Sequence, residues 1–263
     1  MKKVGFIGAY DKIDLIIYIA KILVTLGKKV LVIDATINQK ARYVVPVINP
    51  SKTYITEYEE IDIAVGFFGF EDINRYLGVA ENKKLEYDYI FVDTDNYKGL
   101  ENYNLNESFK NYFVTSFDAY SLKKGLEILS GLKSPLSLTK ILFSKEMLKE
   151  EDDYLNFLSL GYKVIWNEYK IYFPIENGDL SAIYENQRVA KIRFKKLSVE
   201  FKDQLEYISV EILGDVSGAT IRRTIKNIEK IIWDWERNDR NVSCNILEQW
   251  KRTNWKNSIN SGY

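Results

Sequence analysis

Apolar runs and helical stripes alternate at the start of the chain. The run from Lys3 to Gly8 ends in glycine, which is typical of a buried parallel strand. The next apolar positions recur at intervals of three and four and predict a helix closed by Gly27. Lys29 to Ile33 predicts a second buried strand, so this segment predicts a right-handed βαβ unit. The helix stripe consists of Ile13, Ile16, Ile17, Ala20, Leu23 and Val24.

The same alternation continues through most of the chain. Residues 35–51 lose the pattern around two prolines and predict an irregular segment, whereas 55–70 alternates acidic and apolar residues and predicts one strand exposed on one face. Further strands are predicted at 87–94, 112–115, 139–143 and 170–173, and helices at 70–77, 121–132, 148–160, 180–187 and 198–213. This order predicts an α/β fold, a mostly parallel twisted sheet with helices on both faces.

A different pattern marks the C-terminal part. Residues 220–235 predict an amphipathic helix, with isoleucines and Trp235 on one side. Its basic side carries Arg222, Arg223, Lys226 and Lys230. We therefore divide the chain into a domain over residues 1–213 and a C-terminal helix with a polar tail over 214–263. The basic side is either the solvated face of a packed helix, or a face for an acidic protein partner, DNA phosphates or a membrane surface.

The amino-acid composition excludes some classes of function for this protein. With 263 residues, 46% of them hydrophobic, the chain can bury a large core. Lys plus Arg and Asp plus Glu each number 37, so any basic interaction face must be local. The absence of histidine excludes histidine-based catalysis and removes the commonest metal ligand. One cysteine, no signal peptide and no apolar run long enough to cross a bilayer predict a cytoplasmic location.

Polar residues follow three of the predicted strands at the edge where parallel sheets bind ligands. The turn from Gly8 to Asp14 follows the first strand, Asp34 ends the second, and Asp93 ends the strand at 87–94. A single aspartate after a strand is commonly a helix cap or turn former. Three such features in this order define a candidate site.

These segments resemble the ParA/MinD family of deviant phosphate-loop ATPases, including its CpaE/TadZ-like branch, which positions pilus machinery. The segment ending Asp34-Ala-Thr36 is similar to the family's second strand, and Tyr87 to Thr94 is similar to its Walker B strand. The resemblance implies a P-loop NTPase fold of the SIMIBI type over residues 1–213. It also implies that Asp34 serves the metal and the attacking water and that Asp93 takes a metal-side position.

The phosphate loop departs from the family's Lys-Gly-Gly-x-Gly-Lys-Thr/Ser pattern. Gly8 and Lys12 match, but Ile7 stands where the family has its signature lysine, and Ile13 replaces the hydroxyl residue that binds Mg²⁺. Ala9 and Asp11 replace glycines. The resemblance implies that ATP with Mg²⁺ would lie on the loop, whereas the substitutions leave the absence of any cofactor equally open. The implied nucleotide-binding residues are Gly8, Ala9, Tyr10, Asp11, Lys12, Ile13 and Asp14.

A simpler interpretation of the loop involves no ligand. In it, Asp11 caps the first helix, Lys12 and Asp14 are solvated residues of the first turn, and Asp34 and Asp93 are turn caps.

The resemblance predicts a nucleotide-switch protein or pseudo-ATPase with weak or no hydrolysis. Its role would be spatial positioning, either partition of DNA or a mobile element, or localisation of a pilus or secretion apparatus. A homodimer, a protein partner from such a system, and peripheral association with membrane or nucleoid are implied as well. The alternatives are a non-enzymatic scaffold that binds no nucleotide and dimerises constitutively, and a receiver-like or Rossmann-like binder of another small anion.

Overall fold

A single eight-stranded sheet organises the computed structural model, which describes residues 1–47, 51–78, 85–144, 149–174 and 176–230. The strands are β1 (Lys2–Ile7), β2 (Val30–Asp34), β3 (Tyr54–Tyr58), β4 (Ile61–Val65), β5 (Tyr89–Thr94), β6 (Lys110–Ser116), β7 (Leu136–Phe143) and β8 (Val164–Phe173). Their spatial order is β3-β4-β2-β5-β1-β6-β7-β8. Only β3 and β4 pair in the antiparallel direction, so the predicted mostly parallel sheet is confirmed.

Helices cover both faces of the sheet, as predicted. They are α1 (Ile13–Thr25), α2 (Ala41–Val44), α3 (Phe70–Tyr76), α4 (Tyr97–Asn102), α5 (Ala119–Ser130), α6 (Lys149–Leu158), α7 (Asn177–Val189), α8 (Val199–Leu213) and α9 (218–230). One core layer contains Ile16 of α1 and Ile208 of α8. The opposite layer contains Ile73 of α3, Leu100 of α4 and Leu126 of α5. Apolar runs such as β1 and β2 can form central strands because both of their faces are covered.

The registers of the central strands bring the candidate site together. Asp34 at the end of β2 is the cross-strand neighbour of Asp93 in β5. On the other side of β5, Ile7 at the end of β1 pairs with Thr94. The loop after β1 therefore leaves the sheet beside both aspartates, at the edge that the sequence predicted.

One element was predicted wrongly. Residues 55–70 were expected to form one half-exposed strand, but they contain the antiparallel pair β3 and β4 and the start of α3. The tight turn between the two strands has Glu59 and Glu60 at positive φ (53° and 71°). Turns of this kind are usually marked by glycine or asparagine, so two glutamates gave no turn signal.

The apolar side of α9 is already used inside the protein. Ile221, Ile225 and Ile228 are buried in the same core layer as α1 and α8. Trp235 and the polar tail lie outside the described residues. The division of the chain at residue 213 stays a prediction. Within the described ranges, no helix combines the length and the apolar character that a bilayer span requires.

Candidate functional site

Lys12 and Asp93 form a buried ion pair at the centre of the site. The Lys12 Nζ atom lies 2.7 Å from Asp93 Oδ1 and donates a 2.8 Å hydrogen bond to the Gly8 carbonyl oxygen. Only 3% of Lys12 and 2% of Asp93 are exposed to solvent. The interpretation of Lys12 as a solvated first-turn residue is therefore wrong. Burial raises the pKa of Asp93 above its usual range, and the nearby Lys12 ammonium opposes that shift.

Asp34 holds the loop that follows its own strand. Its Oδ1 atom accepts hydrogen bonds from the Thr36 backbone N–H (3.0 Å) and the Thr36 hydroxyl (2.5 Å), and its Oδ2 atom accepts one from the Ala41 N–H (2.8 Å). Burial raises the pKa of Asp34, whereas these hydrogen bonds act in the opposite direction. Because both carboxylate oxygens have protein donors, Asp34 fixes the path from β2 to α2.

The two loop carboxylates are joined by a lysine from another segment. Lys40 forms ion pairs with Asp11 and, at 2.9 Å, with Asp14. Burial lowers the pKa of Lys40, but Asp14 and Asp11 raise it by more. Asp14 also accepts hydrogen bonds from the Gln187 side-chain amide at 2.9 and 3.0 Å. Asp11 does not cap α1, because the residue in the N-cap position is Lys12 and it makes no side-chain cap bond.

Gly8 is locked between neighbouring strands. Its φ of +144° is disfavoured for residues with a side chain, and a Cβ atom added there would lie 2.0 Å from the Val114 carbonyl oxygen. The Gly8 N–H donates to the Thr94 carbonyl oxygen at 3.0 Å. The loop therefore starts from a rigid point, next to the ion pair that Lys12 makes.

Tyr10 in the loop, and Ile7 and Ile13 on either side of it, place apolar groups against the protein interior. Tyr10 stacks on Phe143 with the ring centroids 4.6 Å apart. Ile7 and Ile13 are both buried in the core. Both are thus interior residues, and the side chain of Ile13 is a hydrocarbon that offers no oxygen to a metal ion.

A cavity of about 300 Å³ lies over the loop. Its lining contains three carboxylates, Asp11, Asp93 and Asp95, and two ammonium groups, Lys12 and Lys40. Ala9, Tyr10, Thr36, Asn38 and Tyr43 complete it. All the carboxylates and ammonium groups named here except Asp95 form the ion pairs described above.

These residues do not fit a magnesium nucleotide. A polyphosphate would enter a lining whose carboxylates, when all are ionised, outnumber its ammonium groups by one, and Lys12 would have to leave Asp93 to contact it. At an effective dielectric constant of about 20, each pair of like unit charges about 4 Å apart costs roughly 4 kcal/mol, less where solvent screens it. Among the described residues, no cluster of three His, Cys, Asp or Glu side chains could hold a metal ion.

Sequence reasoning identified part of this arrangement. It named Asp34, Asp93 and Lys12, which the structure brings together. It missed Lys40 and Gln187, because Lys40 lies in an irregular segment and Gln187 is more than 170 positions from its partner Asp14. Thr36 could have been found, because a threonine two residues after an aspartate often forms a local turn with it.

The predicted basic face of α9 is only partly free. Arg222 forms an ion pair with Glu206 of α8 at 2.9 Å. Arg223, Lys226 and Lys230 are exposed. Within the part of the chain that the structure describes, the face therefore presents three cations without an ion-pair partner, on a helix whose apolar side is buried.

Comparison with known proteins places the fold. No protein-family model and no curated protein sequence matches the chain. Solved structures do match it. A chain of the MinC:MinD cell division complex of Aquifex aeolicus is 14% identical and has a TM-score of 0.54, covering 82% of this chain and 97% of its own length. A McdA–ATP complex from Cyanothece is 12% identical with a TM-score of 0.52, covering 82% and 98%.

A further match is a plasmid partition protein of Borrelia burgdorferi bound to AMPPNP. It is 12% identical with a TM-score of 0.51, and the alignment covers 81% of this chain and 98% of that one. These identities are too low to transfer an activity, but the alignments span nearly the whole of each relative. The protein therefore has the fold of the ParA/MinD ATPases.

Proposed function

We propose that this protein is a pseudo-ATPase of the ParA/MinD fold that acts as a positioning or scaffold component without hydrolysing ATP. The observation that carries this proposal is the buried Lys12–Asp93 ion pair. Lys12 is the residue expected to contact phosphate, and Asp93 the residue expected on the metal side. In this protein the Lys12 ammonium group and the Asp93 carboxylate pair with each other.

Two features of the loop support the absence of turnover. Asp11 places a carboxylate in the cavity where phosphate would bind, and Ile13 offers no oxygen to a metal ion. Electrostatic stabilisation is the main way in which proteins accelerate phosphoryl transfer, so a lining with excess negative charge removes the principal source of catalysis.

The positioning role rests on the names of proteins with the same fold. They include a cell division complex, a plasmid partition protein and McdA. By analogy, we infer a cargo that is either DNA of a mobile element or a pilus or secretion apparatus, and a homodimer as the working unit. This is an argument from fold and not from a site.

We infer that α9 contacts a partner through its charged residues and does not insert its apolar side into a membrane. Its isoleucines are buried in the core, so Arg223, Lys226 and Lys230 remain for a partner. They suit DNA phosphates or an acidic protein surface. Replacing Arg223 and Lys226 with serine should weaken retention on DNA and reduce its dependence on salt. Unchanged retention would exclude this face as the DNA contact.

Calorimetric titration with ATP and ADP, with and without Mg²⁺, tests the pseudo-ATPase proposal when combined with a phosphate-release assay. We expect no release above background and no binding that depends on Lys12. Magnesium-dependent hydrolysis by the wild type that is lost in Lys12→Ala, but kept in Lys195→Ala, would refute the proposal. Lys195 is a suitable control because it is exposed and lies in the loop before α8.

A further inference from the structure

A second cavity at the same edge of the sheet carries charge of the opposite sign. It has a volume of about 280 Å³ and lies between the loop after β2, the end of β4 and helix α4. Its lining contains Arg42, Lys52 and Lys98 and no aspartate or glutamate. Thr36 lines both cavities, but otherwise the two sets of side chains differ.

The guanidinium group of Arg42 is fixed in place without being neutralised. It donates to the Gln39 side-chain oxygen at 2.8 Å and to the carbonyl oxygens of Lys52 and Ser51 at 2.7 and 3.0 Å. All three acceptors are uncharged. The group also lies over the ring of Tyr54, 5.4 Å from its centroid. Arg42 thus presents a fixed positive charge that none of these hydrogen-bond partners neutralises.

The two lysines add charge that no carboxylate balances. Lys52 and Lys98 are exposed, and neither forms an ion pair within the described ranges. The nearby Asp95 lines the first cavity and not this one, and its Oδ1 atom accepts hydrogen bonds from the Ile37 N–H (2.9 Å) and from the Asn96 side chain (3.1 Å). Three like charges around one small cavity create a positive potential that attracts an anion.

An aromatic side chain borders the charged lining. Phe68 lines the cavity, and 76% of it is exposed, so its ring is accessible to a ligand. The cavity therefore offers one cationic side and one apolar side to a ligand. A phosphomonoester carries about −1.5 to −2 charges at neutral pH and balances three cations better than a single carboxylate does.

We propose that this second cavity binds a small phosphomonoester, with the phosphate against Arg42, Lys52 and Lys98 and the organic part against Phe68. The site does not depend on nucleotide binding at Lys12. It sits beside the loop that Asp34 holds through Thr36, so its occupant would contact the segment that joins the two cavities.

Calorimetric titration of the full chain at low salt tests the site, with AMP, ribose 5-phosphate and inorganic phosphate as probes and adenosine as the uncharged control. We expect the phosphate-bearing probes to bind and adenosine not to bind. Lys52→Glu and Lys98→Glu should each weaken binding by roughly tenfold or more. Their side chains make no hydrogen bonds or ion pairs within the described ranges, so the melting temperature should stay unchanged. Arg42 is left intact because it anchors the neighbouring loop.

Two control variants separate the possible outcomes. Lys195→Glu reverses an exposed charge in the loop before α8, and Lys12→Ala alters the first cavity; both should bind the probes as the wild type does. The proposal is overturned if the wild type binds no phosphomonoester, or if Lys195→Glu weakens binding as much as the cavity variants do. Binding that disappears in Lys12→Ala but survives in Lys52→Glu and Lys98→Glu would also overturn it, and would contradict the pseudo-ATPase proposal as well.

Discussion

Replacing Lys12 with methionine removes the cation from the buried ion pair and keeps most of the side-chain volume. Two effects on the free energy of unfolding follow. The hydrogen bond from Lys12 to the Gly8 carbonyl oxygen is lost at every pH, at a cost of about 1 kcal/mol. The second effect depends on pH, because Asp93 loses the charge that favours its ionised form.

The sign of the pH dependence follows from the pKa of Asp93. Burial raises this pKa to about 7 in the folded protein, against about 3.9 in an unfolded chain. The folded state therefore binds the proton more tightly, and the contribution of Asp93 to stability falls as the pH rises from about 4 towards 7. Without Lys12 the folded pKa moves higher, so the loss continues above pH 7. It amounts to up to about 1.4 kcal/mol per pH unit relative to the wild type.

We therefore expect Lys12→Met to be destabilised by about 1 kcal/mol at pH 6 and by roughly 3 to 4 kcal/mol at pH 9, the magnitude found when one partner of a buried pair is removed. Urea unfolding followed by tryptophan fluorescence at several pH values measures this difference. The double variant Lys12→Met/Asp93→Asn should show no such pH dependence, and Lys195→Met should behave as the wild type does. A Lys12→Met penalty that is the same at pH 6 and pH 9 would show that Lys12 does not influence the ionisation of Asp93.

Three further substitutions test other contacts. Gly8→Ala should lower the free energy of unfolding by roughly 3 kcal/mol or more, because its Cβ would lie 2.0 Å from the Val114 carbonyl oxygen. The control Gly27→Ala has open space around it and should lower the free energy of unfolding by only about 1 kcal/mol. Equal melting temperatures for the two variants would contradict this prediction. Asp179→Asn should lower the free energy of unfolding in urea by about 1–3 kcal/mol. The Asp179 carboxylate accepts hydrogen bonds from the backbone N–H and the hydroxyl of Ser198 and from the Glu176 N–H. The control Asp203→Asn, at an exposed position, should leave the free energy of unfolding unchanged. Asp118→Ala should cost about 1 kcal/mol at pH 7 through loss of the α5 cap. Hydrogen bonds from Ser116 and Ser121 lower the pKa of Asp118 to about 2, so its stabilisation should fade between about pH 4 and pH 2, and a penalty that persists at pH 2 would contradict the cap assignment.

Periodicity in the sequence predicted most of the parallel framework. The strand that became β5 and the helix that became α8 were both anticipated, because a buried strand needs a continuous apolar run and a packed helix needs an apolar stripe. Ser198 was correctly placed at the start of α8, where its side chain accepts a hydrogen bond from the Phe201 N–H. Such signals are local and can be read from neighbouring residues.

Long-range partners could not be predicted in the same way. Lys12 was expected either on a phosphate or in solvent. The sequence placed its turn and Asp93 at the same edge of the sheet, but the direct ion pair between the two side chains appears only in the structure. The bridge from Lys40 to Asp11 and Asp14 likewise depends on where an irregular loop folds back. The cationic cavity around Arg42 escaped sequence reasoning because its residues come from four separated segments, and none of them forms a motif.

The position of β1 has a consequence for the order of folding. This strand is synthesised first, yet it pairs with β5 on one side and β6 on the other. One edge of β1 stays open until the chain has been made as far as Thr94, the last residue of β5, and the other until β6 (Lys110–Ser116) has been made. Non-local pairing of this kind slows folding and leaves apolar strand edges open in the nascent chain. Among the eight strands, β1 therefore waits longest between its own synthesis and that of its last partner, and during that interval its open edge is a site that a chaperone could protect.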